Sequence, residues 1–331
     1  MKATAILVEA PQKVGLAEVE IPDPGPGEVL LRNQVSCISP GTELRCLAGL
    51  QDGVQELFPF IPGYASCGEI CALGAGVTQW ELGDVVCGRG TERASVNRSW
   101  GSHVSHLVVK ADSLHRVPEG LPLDQAAVCR LAAIAYRGVC LANLLPHQPV
   151  AVIGLGAIGQ LSARLHRACG NHVVGYDQNP QRVESLRQAG VPAHAPTGSL
   201  HEAVRETFPD GVDCVVDATG AAAVVPQAVE CLRQPGWHEQ PNPTPTYIVQ
   251  GSYPEGVTFP YHPTFFREAT VRFPRDALKI DQVTCLRLAA QGNLNLQGMV
   301  SKLVKPADAS EAYHALQQRD CPHLTLAFDW A

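Results

Sequence analysis

Three glycines at two- and three-residue spacing follow an apolar run in Val150-Ala-Val-Ile-Gly154-Leu-Gly156-Ala157-Ile158-Gly159, and an acidic residue, Asp177, stands eighteen residues beyond the last of them. Each residue type has a chemical use at its place. Gly154 permits a tight turn at the end of a strand, Gly156 lets the backbone approach a pyrophosphate, and Gly159 lets a new helix pack close to the sheet. The N–H groups opening that helix, at Ala157 and Ile158, have no partner within it and face phosphate charge. Asp177 closes the run Val-Val-Gly-Tyr-Asp, where it can accept hydrogen bonds from adenosine ribose hydroxyls and repel a 2′-phosphate. The alternative for the same residues is a glycine-rich turn that holds nothing. A lone G-x-G-x-x-G decides little, but the strand before it, the helix after it and the acidic residue beyond point to a dinucleotide site. Arg182 is the one cation close to Asp177, so NAD(H) is expected rather than NADP(H).

Such a turn needs alternating strands and helices to hold it, and that pattern begins near residue 121. Helices are expected at 123–141, after the glycine turn as far as Gly170, at 180–189, 221–232 and 281–290. The matching strands are 150–153, 173–176, 212–217, 247–250 and 269–273, with a proline-rich surface loop at 235–245. The first 120 residues read differently. Short β-branched runs at 29–35, 68–72, 84–87 and 104–109 are separated by Gly and Pro turns, which is the signature of a β-rich domain. One more helix, 307–318, and an apolar strand, 324–328, close the sequence.

Bulk properties narrow the function classes. A chain of 331 residues has room for two cores, and 45% hydrophobic with 17% charged residues describes a folded protein. The formal net charge of −7 and the lack of a basic cluster argue against a nucleic-acid partner. The opening apolar run is too short for a signal peptide, and no stretch is expected to approach the roughly 18 apolar residues of a membrane span. The 12 cysteines are scattered without any C-x-x-C, which reads as reduced, mostly buried thiols in a cytoplasmic enzyme.

A β-rich domain ahead of a nucleotide fold resembles the medium-chain dehydrogenase/reductase superfamily. The resemblance is carried by Pro24-Gly-Pro-Gly-Glu-Val-Leu-Leu, Pro62-Gly-Tyr-Ala-Ser-Cys-Gly-Glu-Ile, Gly76-Val-Thr-Gln-Trp-Glu-Leu-Gly-Asp-Val-Val and the glycine turn, in that order. It implies an α/β protein: a GroES-like catalytic domain over 1–120, completed by 296–331, and a Rossmann doubly wound NAD-binding domain over 121–295. The active-site cleft then lies between them. Asp217-Ala-Thr219-Gly220 and Gly251-Ser252 match family positions flanking the adenosine and nicotinamide halves of the cofactor.

Zinc members of the superfamily place a cysteine near what is Pro40 here and a histidine where Tyr64 stands, and their structural-zinc lobe has no cysteines in this sequence. Neither residue is a substitute for a soft nitrogen or thiolate ligand, so no zinc is expected. The segments Ser-Pro-Gly-Thr-Glu43 and Gly-Tyr64-Ala-Ser-Cys-Gly are similar to a zinc-less branch that includes the bacteriochlorophyllide a hydroxyethyl dehydrogenases. Side chains must then handle the proton of the reacting oxygen. The resemblance puts Thr42 beside that oxygen and the Tyr64 phenol in the metal's place. Histidine is the side-chain type that titrates near neutrality unaided, which makes His103 a candidate with His106 as its rival, and Glu43 either orients one of these or ties down its own loop. His103 has the bland reading of a satisfied histidine. Arg130 is a candidate for an anionic substrate group or for an ordinary helix-surface ion pair, Arg267 for the cleft or for a subunit contact, and Cys37 reads as a buried thiol.

The expected function is hydride transfer between NAD and a secondary alcohol or ketone. A reductase of activated C=C bonds is the alternative within enzymes, and a non-catalytic dinucleotide-binding protein the alternative outside them. The expected partners are a small-molecule substrate and a second copy of the chain, paired through the strand at 269–273, with no nucleic acid and no membrane.

Overall fold

The computed structural model describes residues 1–238, 244–253, 256–318 and 320–331, so the middle of the proline-rich loop expected at 235–245 lies outside the described residues. The chain divides into two units. One holds Met1–Arg130, Gln282–Gln291 and Leu296–Ala331; the other holds Leu131–Asp281 and Gly292–Asn295.

The first unit is organised around the strand Glu28–Cys37, whose apolar residues Val29, Leu30, Leu31, Val35 and Cys37 are all buried. Strand Ser66–Leu73 pairs with it on one side and the late strand Thr325–Asp329 on the other, both antiparallel. Val300–Val304, Val85–Gly88 and His115–Arg116 extend this sheet, and His106–Lys110 also pairs with Glu28–Cys37. A second sheet runs Lys13–Glu20, Lys2–Ala10, Phe60–Ile61, Asn97–Arg98. The Lys2–Glu20 hairpin escaped the sequence reading. Ile21, Leu31, Ile61, Ile70, Val86 and Leu107 pack in one core of this unit, while Ile6, Ile38, Phe60, Tyr313 and Phe328 pack in another.

Residues 40–43, read from sequence as the end of a loop that starts at Cys37, instead open a helix, Pro40–Leu47. The local chemistry accounts for it. Ser39 is the N-cap, Pro40 supplies the preset φ of the first helical position, and Glu43 lies in the first turn against the positive end of the helix dipole.

The second unit is a six-stranded parallel sheet in the order Ala193–His194, His172–Tyr176, Pro149–Ile153, Cys214–Asp217, Thr246–Val249, Thr270–Arg272. The chain starts at Pro149–Ile153, winds outward one way, then returns and winds out the other way. The reversal leaves a switch point between Pro149–Ile153 and Cys214–Asp217, the place where open α/β sheets bind ligands. Helices Ala157–Ala168, Pro180–Gln188 and Leu200–Thr207 fill the crossovers. The helix expected over 221–232 is much shorter: a 3₁₀ turn, Ala222–Val224, leads into Val225–Glu230, with Pro226 at its start.

Helix Leu123–Ala142 corrects the expectation that no stretch approaches a membrane span, because its length and composition suffice for one. Its residues Ala126–Ala133 are buried inside the protein, however, as in a core helix.

Candidate active site

Tyr64 follows a turn that only glycine can make. Gly63 has φ +88°, and a Cβ there would sit 2.4 Å from Ser102 Oγ and 2.5 Å from His103 Nε2. The turn sends the Tyr64 phenol to the N-terminus of helix Pro40–Leu47. There it meets Ser39 Oγ at 2.5 Å and Thr42 Oγ1 at 3.5 Å. Trp100 packs edge-on against the Tyr64 ring, and the buried Arg130 guanidinium stands 5.9 Å from the ring centroid. Burial raises the Tyr64 pKa, opposed by its hydrogen bonds to Ser39 and Thr42 and by the Arg130 charge. The phenol is therefore protonated at neutral pH. Three hydroxyls carry three protons, and the two contacts among them use two. One O–H remains to bond an oxygen presented to the cluster. Ser39 was not singled out from sequence, although Ser39-Pro40 followed by Glu43 is a helix-start signal.

Glu43 and His103 lie behind this cluster rather than in it. Both are completely buried. Glu43 Oε2 accepts from Tyr313 OH (2.5 Å) and contacts His103 Nε2 (2.9 Å), while Oε1 accepts from the Ser39 N–H (2.7 Å). Ser36 Oγ accepts from Trp330 Nε1 (2.8 Å) and lies 2.7 Å from His103 Nδ1. The Glu43 carboxylate can only accept, which places an imidazole proton on Nε2 facing it; Nδ1 of the neutral ring then accepts from the Ser36 O–H. His103 is thus shut off from solvent, which corrects its expected place among groups that reach the substrate; Glu43, equally buried, is placed to orient its neighbours. The two hold Ser39, and through it Tyr64. His106, the rival, begins strand His106–Lys110, where burial lowers its pKa.

Arg267 is also corrected. Its guanidinium donates to the carbonyls of Leu232 (3.0 Å), Pro263 (2.9 Å) and Glu230 (3.2 Å), clamping main chain at the end of helix Val225–Glu230. Arg130 is brought against Tyr64, as described above.

The donor chemistry around Tyr64 does not fit a zinc ion. The oxygens that meet there are neutral hydroxyls beside a guanidinium cation, and among the described residues no three His, Cys, Asp or Glu side chains converge. The thiols on the flanking segment meet other partners: Cys37 Sγ lies 3.9 Å from Thr325 Oγ1 and Cys46 Sγ 3.7 Å from Ser99 Oγ.

In the second unit the glycine turn sits at the switch point. Gly154 has φ +83°, and a Cβ on it would come within 3.0 Å of Ala218 and Thr219. A Cβ on Gly159 would fall 1.7 Å from the Gly154 carbonyl oxygen, whereas one on Gly156 would meet nothing within 4 Å. Gly156 is the N-cap of helix Ala157–Ala168 and offers no capping side chain. The Ala157 and Ile158 N–H groups open that helix, free of intrahelical partners. Asp177 accepts from the Leu155 N–H (2.6 Å) and the Asn179 N–H (2.8 Å), with Arg182 Nη1 3.7 Å away. Asp217 is fully buried and binds Thr219 N–H (2.9 Å), Thr219 O–H (2.7 Å) and Tyr247 O–H (2.6 Å). The Gly251 N–H donates to the Asp217 carbonyl, and a Cβ on Gly251 would lie 2.6 Å from Gly220 N, so the two strand-end loops abut, with Ser252 exposed just beyond. Tyr247 as the anchor of Asp217 carried no sequence signal.

Comparison with known proteins supplies context. Residues 25–119 match the family described as alcohol dehydrogenase GroES-like domain, and residues 157–238 match the family described as zinc-binding dehydrogenase. The chain is 26% identical to 2-desacetyl-2-hydroxyethyl bacteriochlorophyllide A dehydrogenase of Cereibacter sphaeroides, over 100% of this chain and 99% of that protein. Among solved structures it is similar to 2R,3R-butanediol dehydrogenase from Bacillus subtilis (TM-score 0.86, 20% identity, 99% of each chain). It is also similar to acetophenone reductase from Geotrichum candidum in complex with NAD (TM-score 0.81, 20% identity, 99% of this chain and 97% of that one).

Proposed function

Because the chain belongs to the medium-chain dehydrogenase/reductase superfamily, we propose that it interconverts a secondary alcohol and a ketone with NAD(H), using side-chain hydroxyls in place of zinc. The protein is an oxidoreductase of the alcohol dehydrogenase type. The observation that carries the finer reading is the Tyr64 phenol, held protonated between Ser39 and Thr42 with Arg130 against its ring.

Nicotinamide, when bound, supplies or accepts a hydride at its C4. The second unit fits such a cofactor: an open approach at Gly156, unpartnered N–H groups at the helix start and a carboxylate at Asp177. In the direction of ketone reduction, Tyr64 donates its proton to the substrate oxygen as negative charge develops there. The Ser39 and Thr42 hydroxyls and the Arg130 cation then stabilise the phenolate, and the half-buried Thr42 passes a proton back. Oxidation runs the same path in reverse. A positioned proton donor of this kind contributes about 10²–10⁴-fold. NAD(H) is favoured because the Asp177 charge opposes a 2′-phosphate, although Arg182 beside it softens that opposition.

The substrate is a small molecule, and the reading includes a cytoplasmic protein without a nucleic-acid or membrane partner. It also includes a homodimer, supported by Thr270–Arg272, the edge strand of the parallel sheet, whose outer side has no described strand beside it. Turnover of NAD⁺ with a panel of secondary alcohols tests the enzymatic core. EDTA-dialysed protein should keep its activity, and Tyr64→Phe should lose at least 10²-fold in kcat. Stoichiometric zinc whose removal abolishes turnover, or an undiminished Tyr64→Phe enzyme, overturns the proposal.

A further inference from the structure

Two thiols outside the proposed chemistry face each other across the first unit's sheet. Cys67 on strand Ser66–Leu73 is the register partner of Cys87 on the antiparallel strand Val85–Gly88, and their sulfurs are 2.7 Å apart. The ladder tells which kind of pair this is. The Ile70 N–H donates to the Asp84 carbonyl at 3.0 Å, so that pair is hydrogen-bonded. Hydrogen-bonded and non-hydrogen-bonded pairs alternate along an antiparallel ladder, and Cys67 with Cys87 stands three steps away, at a non-hydrogen-bonded site. Opposed Cα atoms at such sites approach to about 4.5 Å, inside the range of roughly 4.4–6.8 Å that a disulfide spans. Neither strand has to shift for the two sulfurs to join.

We propose that Cys67 and Cys87 are a redox pair that closes to a cross-strand disulfide under oxidising conditions. With a glutathione disulfide-type oxidant, one cysteine thiolate attacks the oxidant and releases one thiol. The second cysteine thiolate then displaces the other half, so two protein thiols become one S–S bond and the oxidant is reduced to two thiols. The bond staples the strand that follows Tyr64 to its neighbour.

Both side chains are about 1% exposed, and burial holds the Cys67 thiol well above the ordinary thiol range. The reaction therefore passes through local opening of the sheet. The strand Val85–Gly88 has four residues and its outer neighbour His115–Arg116 only two, which makes this the thin side of the sheet. Closure is expected to be slow in native buffer and faster in sub-denaturing urea.

The test treats the full chain with glutathione disulfide, with and without mild urea, then denatures it, alkylates free thiols and maps peptides without reduction. The expected result is a linked Cys67–Cys87 peptide pair lighter by two hydrogens. Both residues escape alkylation, and dithiothreitol restores them. In Cys87→Ala, Cys67 should be linked to no other cysteine peptide and be recovered only as the alkylated thiol or as its mixed disulfide with glutathione. The unaltered protein decides the matter even if that variant folds poorly. Complete alkylation of Cys67 and Cys87 after oxidation, or their linkage to other cysteines instead of to each other, overturns the proposal.

Discussion

Gly156→Ala separates cofactor binding from folding with unusual clarity. The added Cβ meets nothing within 4 Å, and Gly156 has φ −66° and ψ −174°, a conformation open to any residue. Replacing glycine lowers the entropy of the unfolded chain, a gain of about 0.4–1 kcal/mol. Alanine is a poorer N-cap than glycine by a similar amount, roughly 0.5–1 kcal/mol. The two effects offset each other, and Tm should move by no more than about 2 °C. Binding should suffer, because the methyl stands where a pyrophosphate must approach the opening N–H groups of helix Ala157–Ala168. Weakening one charge-assisted hydrogen bond costs about 1.5–3 kcal/mol, which is roughly a 10- to 100-fold rise in Kd. Gly159→Ala is the counterpart: its Cβ falls 1.7 Å from the Gly154 oxygen, so stability drops by about 1–3 kcal/mol or more. NADH fluorescence titration and thermal unfolding on both variants read these effects. A Gly156→Ala protein that binds NADH within twofold of the parent refutes the reasoning.

Glu43→Ala strands three buried donors, the Ser39 N–H, the His103 Nε2–H and the Tyr313 O–H, and should cost at least about 3 kcal/mol in urea unfolding; a loss under 1 kcal/mol contradicts the network. His166 is buried and its pKa is lowered to about 4 by burial, against a smaller opposing effect of the hydrogen bond its Nδ1 donates to Asn171 Oδ1. The unfolded chain, with His near 6.5, binds that proton first. Stability should thus be intact above pH 6.5 and fall by about 3 kcal/mol as the pH drops to 4. Unfolding curves at pH 7 and pH 4.5 should lie closer together in His166→Gln than in the parent, and parallel losses in both proteins rule out His166 as the cause. Asp177→Asn keeps an acceptor but removes the charge, so the preference for NADH over NADPH should shrink about 10-fold in paired titrations; an unchanged ratio moves the discrimination elsewhere.

The glycine turn was legible because every part of its job is local: one strand end, one turn and one helix start lie within Val150–Gly159, and Asp177 ends the next strand. Tyr64 and Thr42 could be singled out by their place in matching segments, but the geometry that unites them could not. Ser39 carried a visible capping signal and was passed over because the segment read as a loop. The supports of Glu43 and His103 were out of reach in principle, since Tyr313 and Trp330 lie 270 and 294 residues from their partners. Arg267 illustrates the opposite failure. An arginine in an aromatic segment looks like a substrate contact until three main-chain carbonyls are found to occupy it.

The pairing of Thr325–Asp329 with Glu28–Cys37 imposes an order of events at the ribosome. The first unit's central strand is made early, yet the strand beside it follows only after about 290 further residues, roughly 15–60 s of translation. During that interval the Rossmann sheet has been synthesised and is able to fold, while the Val35–Cys37 end of that strand, which His106–Lys110 does not cover, stays unpaired on one side and Glu43 has no Tyr313. Nascent chains stalled before residue 313 should therefore contain a formed nucleotide domain attached to an open β-domain. That is the stage at which holdase chaperones have the most to shield.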